Sequence, residues 1–444
     1  MLLKRGTFNS FLIFNFHMED QVQKVFEKID EDEALSLAKQ FIAIPSPPGM
    51  EGPVGEFMAQ WMTENGLSGR LQEIGPERYN AIGRIKGVNP AEGKSLMYNG
   101  HLDTSQGGLD PHDEYLVYGE LSKHKSWQPV PYMEDGRLYG AGSSNCKGNV
   151  STFLIAAKAI KDAGVELNND LILAGVAAET GKAEIDQYQG PRYRGHGIGT
   201  QQLLNSGVTS DYAVVVESSR MLVSYALPGV LYFKLTVKGH PAYIPYIDNE
   251  RHPIYKALPI IDAIRIWGEK YTEDNVYTFE RGQIRPNVNV GSIRSGAPPK
   301  PNYQPAILNM YVDVRTSPAR SPLDVEKEFR AFVRGLDPEI DVVCYRSQTG
   351  TAPEASFVED LSNHIETSYR TVYEKEPIPL HWEQHSRWHD VIIYHEHGIP
   401  CVKCGPGPGP EHSDITRRSL SPDELVKAAK MYAATALSIC QVAE

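Results

Sequence analysis

Residues 94–104 read KSLMYNGHLDT. The first six make a short apolar run with the composition of a strand buried on both faces, and such strands belong to sheets covered by helices. The run delivers His101 and Asp103 at its C-terminal end, where open α/β sheets gather their ligand groups. Upstream, ALSLAKQFIAI (residues 34–44) has helical spacing and breaks at Pro45-Ser46-Pro47-Pro48-Gly49. Downstream, VSTFLIAAKAIKDAG (150–164) reads as a helix, and LILAGVAAE (171–179) and DYAVVVE (211–217) as further buried strands. The alternation predicts an α/β architecture.

The pattern changes after residue 223. LYFKLTVKG (231–239) alternates as a half-exposed strand, a helix follows around residues 253–267, and VNVGSIRSG (288–296) and AILNMYVDVRTSP (306–318) read as strands. We read residues 224–347 as an inserted α+β domain, with 19–223 and 348–444 forming the two parts of a catalytic domain. Residues 391–413 return to buried-strand composition, and 420–439 form a terminal helix with Ser421 and Pro422 at its start.

With 444 residues, 23% charged and 41% hydrophobic, the chain has the composition of an ordinary globular protein. A formal net charge of -12 gives the long-range field the wrong sign for nucleic acid or anionic lipid. Five scattered cysteines are no disulfide framework, and a reducing cytoplasm is expected. Cys401-x-x-Cys404 stands alone in an apolar run and carries no metal or redox reading. Residues 1–17 resemble a signal peptide only faintly, since the apolar patch is interrupted and lacks a small-residue cleavage site. Met18 reads as the more natural start. No later run is long enough to span a bilayer.

Imidazoles and carboxylates delivered from several strand ends suit a divalent transition metal. GHLDT offers His101 as ligand and Asp103 as its orienter, although an isolated HxD is as often a satisfied polar pair. Four further segments follow in order: YGAGSSNCKGN (139–149), AAETG (177–181), VVVES (214–218) and GPGPGPEHS (405–413). Order and spacing resemble the zinc aminopeptidase and deacylase family, which includes acetylornithine deacetylase, succinyl-diaminopimelate desuccinylase, aminoacylase and carboxypeptidase G. The resemblance runs from residue 35 to the end of the chain. It implies a doubly wound catalytic domain, an inserted lid or dimerisation domain, and two metals bridged by one carboxylate.

Carried over by position, the resemblance makes His101 and Glu217 ligands of the first metal and His412 a ligand of the second. Asn145 stands where the family has its bridging aspartate. Glu179 falls on the general base and Thr180 on a missing ligand of the second metal; a one-residue slip would instead put Ala178 on the base and Glu179 on the ligand. The ungapped register is preferred. Both lost carboxylates are those that hold the second metal, so one weakly held divalent metal per subunit, zinc, manganese or cobalt, is expected. Its ligands would be His101, Glu217 and His412, with Asn145 nearby and Glu179 as base.

In KGHPAYIP (238–245) Tyr243 occupies the position of the histidine that stabilises the family's oxyanion. Losing such a donor typically costs roughly 3 to 4 kcal/mol of transition-state stabilisation, unless the tyrosine hydroxyl substitutes. Arg315 in MYVDVRTSP matches the family's substrate-carboxylate anchor, and its planar fork suits that role. Asn287 and Asn289 in RPNVNVG are candidate polar contacts. HWEQHSRWHD (381–390), Tyr188 and Tyr193 are candidate pocket walls, and Lys147 reads as structural.

Three functional readings stay open. One is hydrolytic deamination of an electron-poor, carboxylate-bearing aromatic amine such as 5-nitroanthranilate, in which charge flows into the ring and no oxyanion forms. The second is a deacylase or dipeptidase acting on N-acylated amino acids. The third is a catalytically silent ligand-binding relative. The expected partners are a small-molecule substrate and further copies of the chain through the lid; nucleic acid and membrane are not expected.

Overall fold

The computed structural model describes residues 19–408 and 418–443. The described residues form two compact units: 19–224, 354–379, 389–408 and 418–443 make the first, and Tyr225–Pro353 with Leu380–Trp388 the second. The inserted unit thus runs past residue 347 and takes in 380–388, a stretch that the sequence reading left with the other domain. Local periodicity carries no information about such a long-range return.

The first unit is built on a six-stranded mixed sheet in the order Arg70–Gly75, Arg78–Ile85, Leu171–Val176, Leu96–His101, Tyr212–Val215, Cys401–Lys403. The first two strands run antiparallel to their neighbours and the remaining pairings are parallel. Every residue of Leu96–His101 and Leu171–Val176 is buried, as covering of both sheet faces requires. The helices Glu31–Ala43, Lys147–Asp162 and Pro422–Cys440 pack on one another. Gly52–Glu64 packs on Arg78–Ile85 and Leu171–Val176. Ser421 caps the terminal helix in a reciprocal box with Glu424, which satisfies two otherwise orphaned N–H groups.

The second unit is a four-stranded antiparallel sheet in the order Val288–Ser295, Ile307–Thr316, Gly229–Lys238, Asp341–Gln348, with helices Pro253–Asp274 and Pro322–Leu336. Its two central strands alternate buried and half-buried residues, the signature of a sheet with one face on a core. Leu231, Phe233, Leu235, Met310, Val312 and Phe329 lie in that core. The α/β unit with an inserted α+β unit matches the fold class read from the sequence. Among the described residues, no helix is long and apolar enough to cross a membrane.

Candidate metal centre

The C-terminal ends of the parallel strands carry the candidate residues. His101 closes Leu96–His101, Glu179 lies three residues beyond Leu171–Val176, and Glu217 two beyond Tyr212–Val215. Asn145 lies in the turn before helix Lys147–Asp162. That turn is fastened to the neighbouring strand end: Asn149 Nδ2 donates to the Val216 carbonyl at 2.8 Å and to Pro406 O at 3.0 Å, and Ser218 Oγ donates to Ser144 O. Gly148 is required there, since a Cβ would lie 1.9 Å from Ser143 O.

His101, Glu179 and Glu217 are buried, and each offers a donor atom within 4.8 Å of the others. His101 Nε2 lies 3.8 Å from Glu179 Oε2 and 2.8 Å from Asn145 Oδ1. Its other nitrogen, Nδ1, is 2.8 Å from the backbone carbonyl of Asp103 and 3.7 Å from the Asp103 carboxylate. The orienting partner of the imidazole is therefore the Asp103 carbonyl, where the sequence reading had the side chain. Nε2 is the ring nitrogen turned toward Asn145 and Glu179. The Asp103 carboxylate instead accepts the backbone N–H groups of Glu179 at 3.1 Å and Thr180 at 2.9 Å, and the Thr180 hydroxyl at 2.5 Å. Thr180 is thereby committed to Asp103, and Asp103 holds the segment that carries Glu179.

The electrostatics of the cluster call for a cation. Burial, then the neighbouring Glu217, raise the Glu179 carboxyl well above its ordinary pKa. Burial alone would lower the His101 pKa, but Glu179 and other negative neighbours lift it well above the usual value. Glu217 Oε1 is buried with no hydrogen-bond partner. A buried carboxylate with an unpartnered oxygen, grouped with a second carboxylate and an imidazole, fits a divalent transition metal. Asn145 supplies a neutral amide oxygen at the rim of this set.

Sequence reading took HWEQHSRWHD as a candidate pocket wall and gave no separate role to its last residue. Asp390, the last of HWEQHSRWHD, is 1% exposed and accepts the Thr200 hydroxyl through Oδ2, while its Oδ1 has no partner. Burial pushes its carboxyl up to about 7, Glu217 adding to the rise against the Thr200 bond. An acidic residue closing a segment rich in imidazoles was the available signal. His412 lies outside the described residues. Arg315, Tyr243 and Asn289 belong to the second unit. There Arg315 donates from Nε and Nη2 to Asp313 Oδ2 at 3.0 and 2.8 Å, Asn289 is exposed, and Tyr243 is 45% exposed with its ring 5.4 Å from that of Tyr303. Cys401 and Cys404 are buried free thiols.

Fold and site together define an α/β protein with an inserted α+β unit and a buried, cation-seeking cluster at its strand ends. A sequence model of Peptidase family M20/M25/M40 matches residues 97–438, and the chain belongs to that family. It is 31% identical over 210 residues to N-formyl-4-amino-5-aminomethyl-2-methylpyrimidine deformylase of Bacillus subtilis (strain 168), 46% of this chain and 43% of that protein. It is 25% identical over 249 residues to succinyl-diaminopimelate desuccinylase of Acidovorax ebreus (strain TPSY), 53% of this chain and 59% of that one. The chain thus spans about half the length of these curated relatives. Among solved structures, the dipeptidase Dug1p of Saccharomyces cerevisiae superimposes with a TM-score of 0.71 at 13% identity, covering 95% of this chain and 99% of that one. Human carnosine dipeptidase 1 gives 0.70 at 16% identity with the same coverage. These two likenesses establish the fold.

Proposed function

We propose that the protein is a metal-dependent hydrolase of carbon-nitrogen bonds, and that its substrate is a carboxylate-bearing, electron-poor aromatic amine such as 5-nitroanthranilate. The observation carrying the reading is the donor set. Asn145 contributes an amide and Thr180 is turned to Asp103, so among the described residues the carboxylates that could share an ion with His101 are Glu179 and Glu217. Two carboxylates balance one divalent ion, held by His101, Glu217 and, from outside the described residues, His412. Such an ion supplies Lewis acidity that lowers the pKa of water toward neutrality.

Glu179 is the base in this reading. Burial and Glu217 raise its pKa, the direction that makes a carboxylate a stronger proton acceptor. It takes a proton from the attacking water and returns one to the departing nitrogen. In the deamination, water adds to the ring carbon bearing the amine; the C–O bond forms, the C–N bond breaks, and phenol and ammonia leave. Negative charge is delocalised into the nitro-substituted ring, so no oxyanion donor is needed where Tyr243 stands. Arg315 receives the substrate carboxylate, with Asn289 as a further polar contact.

The deformylase relative favours a second reading, hydrolysis of an N-acyl amide. Under either one the protein works in the cytoplasm as a homo-oligomer through the inserted unit. Support for the assembly is the edge strand Val288–Ser295, whose Ile293 is 47% exposed.

The test is ammonia release from 5-nitroanthranilate by protein reconstituted with zinc, manganese or cobalt, run beside N-formyl and N-succinyl amino acids, with Glu179→Ala as control. Ammonia with a nitrosalicylate product, abolished in the variant, supports the first reading. Turnover of the acyl substrates alone replaces it with the second. Silence on both removes the enzymatic reading in favour of a ligand-binding relative.

A further inference from the structure

Outside the metal cluster, the first unit holds a cavity of about 540 Å³. Its lining comes from the loop after helix Glu31–Ala43, the segment following Asp103, residues 122–129, and Ala141 with Lys147. The volume is in the range of small-molecule sites. Pro47, Met50, Leu109, Tyr115 and Trp127 form apolar walls, and Trp127 is only 5% exposed. None of His101, Glu179 and Glu217 lines it, yet it abuts their supports, since Thr104 follows Asp103 and Lys147 follows the Asn145 turn.

Lys147 gives the cavity its chemistry. Its side chain is fully buried, and Nζ donates to Ile44 O at 2.7 Å and more weakly to Ile42 O at 3.4 Å. No carboxylate among the described residues pairs with it. One of its three N–H bonds is uncommitted, and a buried cation without a counter-charge is costly. The lysine reaches its place past Gly142, at φ +86, where a Cβ would lie 2.8 Å from Lys147 Cε. The other charged groups of the lining are already engaged: Glu114 accepts the Gly107 N–H at 2.8 Å and Lys123 is 3.2 Å from Glu120. Apolar, partly aromatic walls around one uncompensated ammonium complement a ring that bears a single negative charge.

We propose that this cavity is a binding site for a small aromatic monocarboxylate, whose carboxylate meets Lys147 Nζ and whose ring packs between Trp127, Tyr115 and Pro47. The lining belongs wholly to the first unit, and occupancy of the cavity does not depend on what the metal cluster catalyses. The same chemistry fits one end of a substrate or a free effector.

The experiment is calorimetric titration of the full chain with benzoate and, as neutral isostere, benzamide. Wild type is expected to bind benzoate at least tenfold more tightly than benzamide. Ala141→Leu, which fills the cavity and keeps Lys147, should abolish both bindings, whereas Lys147→Met should bring benzoate down to the level of benzamide. All titrations are repeated in an Arg315→Ala background, which removes benzoate held at the anchor proposed for the substrate carboxylate; the binding that remains there is the cavity's. Circular dichroism establishes that each variant is folded; if Lys147→Met is not, Ala141→Leu carries the test alone. Competitive inhibition of turnover by benzoate identifies the occupant as substrate, and non-competitive inhibition as effector. No benzoate binding at millimolar concentration, equal binding of benzamide, or full binding in Ala141→Leu overturns the proposal and leaves Lys147 as a tie for the end of helix Glu31–Ala43.

Discussion

Glu51 and Arg78 form an ion pair in which the carboxylate side chain is 0% exposed and the guanidinium 3%. Nε donates to Oε2 at 2.8 Å and Nη2 to Oε1 at 2.5 Å, while Nη1 holds the carbonyls of Pro191 and Arg194 at 2.6 and 3.2 Å. The pair thus pins the loop that returns to Glu179, whose carbonyl accepts the His196 N–H at 3.1 Å. Glu51→Gln keeps the shape, removes the charge and turns an N–H group toward the guanidinium. Breaking one side of a buried pair costs about 3–5 kcal/mol, because the surviving charge stays desolvated. Replacing both partners by apolar groups is often close to neutral. With a urea slope of about 3 kcal/mol per M, the single variant should lower the unfolding midpoint by roughly 1 to 1.7 M. The double variant Glu51→Leu with Arg78→Met should recover most of it. Urea unfolding followed by circular dichroism at neutral pH measures both. A single variant that shifts by less than about 0.3 M, or a double variant no better than the single, would refute the argument that an uncompensated guanidinium is what costs.

Asp103→Asn places an amide where three donors converge, so one N–H of Glu179 or Thr180 loses its acceptor. The expected cost is about 2–5 kcal/mol in urea unfolding, with weaker metal retention on dialysis, and unchanged stability would count against it. His395 is held by burial at about 4, below the ordinary imidazole value, its Nε2 2.8 Å from the Cys401 carbonyl. The unfolded chain therefore binds the extra proton first. Stability should be full above pH 6.5 and fall by roughly 3 kcal/mol toward pH 4, a slope that His395→Asn should remove in a pH series of melts. A metal that binds the folded cluster should raise stability by about 2.7 kcal/mol at a hundredfold excess over Kd, read as a melting shift that Glu217→Gln abolishes. Metal analysis after dialysis should return one divalent ion per chain, rising to two in Asn145→Asp with Thr180→Glu. Two ions in the wild type would end the one-metal reading.

The strand Leu96–His101 was legible because burial on both faces leaves an unbroken apolar run, and His101 because it ends that run. Glu179 and Glu217 follow by the same logic from Leu171–Val176 and Tyr212–Val215. The role of Asp103 was not legible: spacing puts its carboxylate beside His101, but the backbone carbonyl makes the closer contact and the carboxylate turns to a segment 76 residues away. Asp390 was hidden for a related reason, since its surroundings come from Thr200, 190 residues distant. Residues 380–388 carry no local mark of the unit they join.

These misses bear on how the site is built. A family position is defined by where a side chain sits, whereas charge is defined by what fills it. Asn145 presents an amide oxygen to His101, and Thr180 gives its hydroxyl and backbone N–H to Asp103, so neither adds a formal charge to the cluster. The segment carrying Glu179 is thus held without another carboxylate entering a cluster in which burial and Glu217 already raise the Glu179 carboxyl.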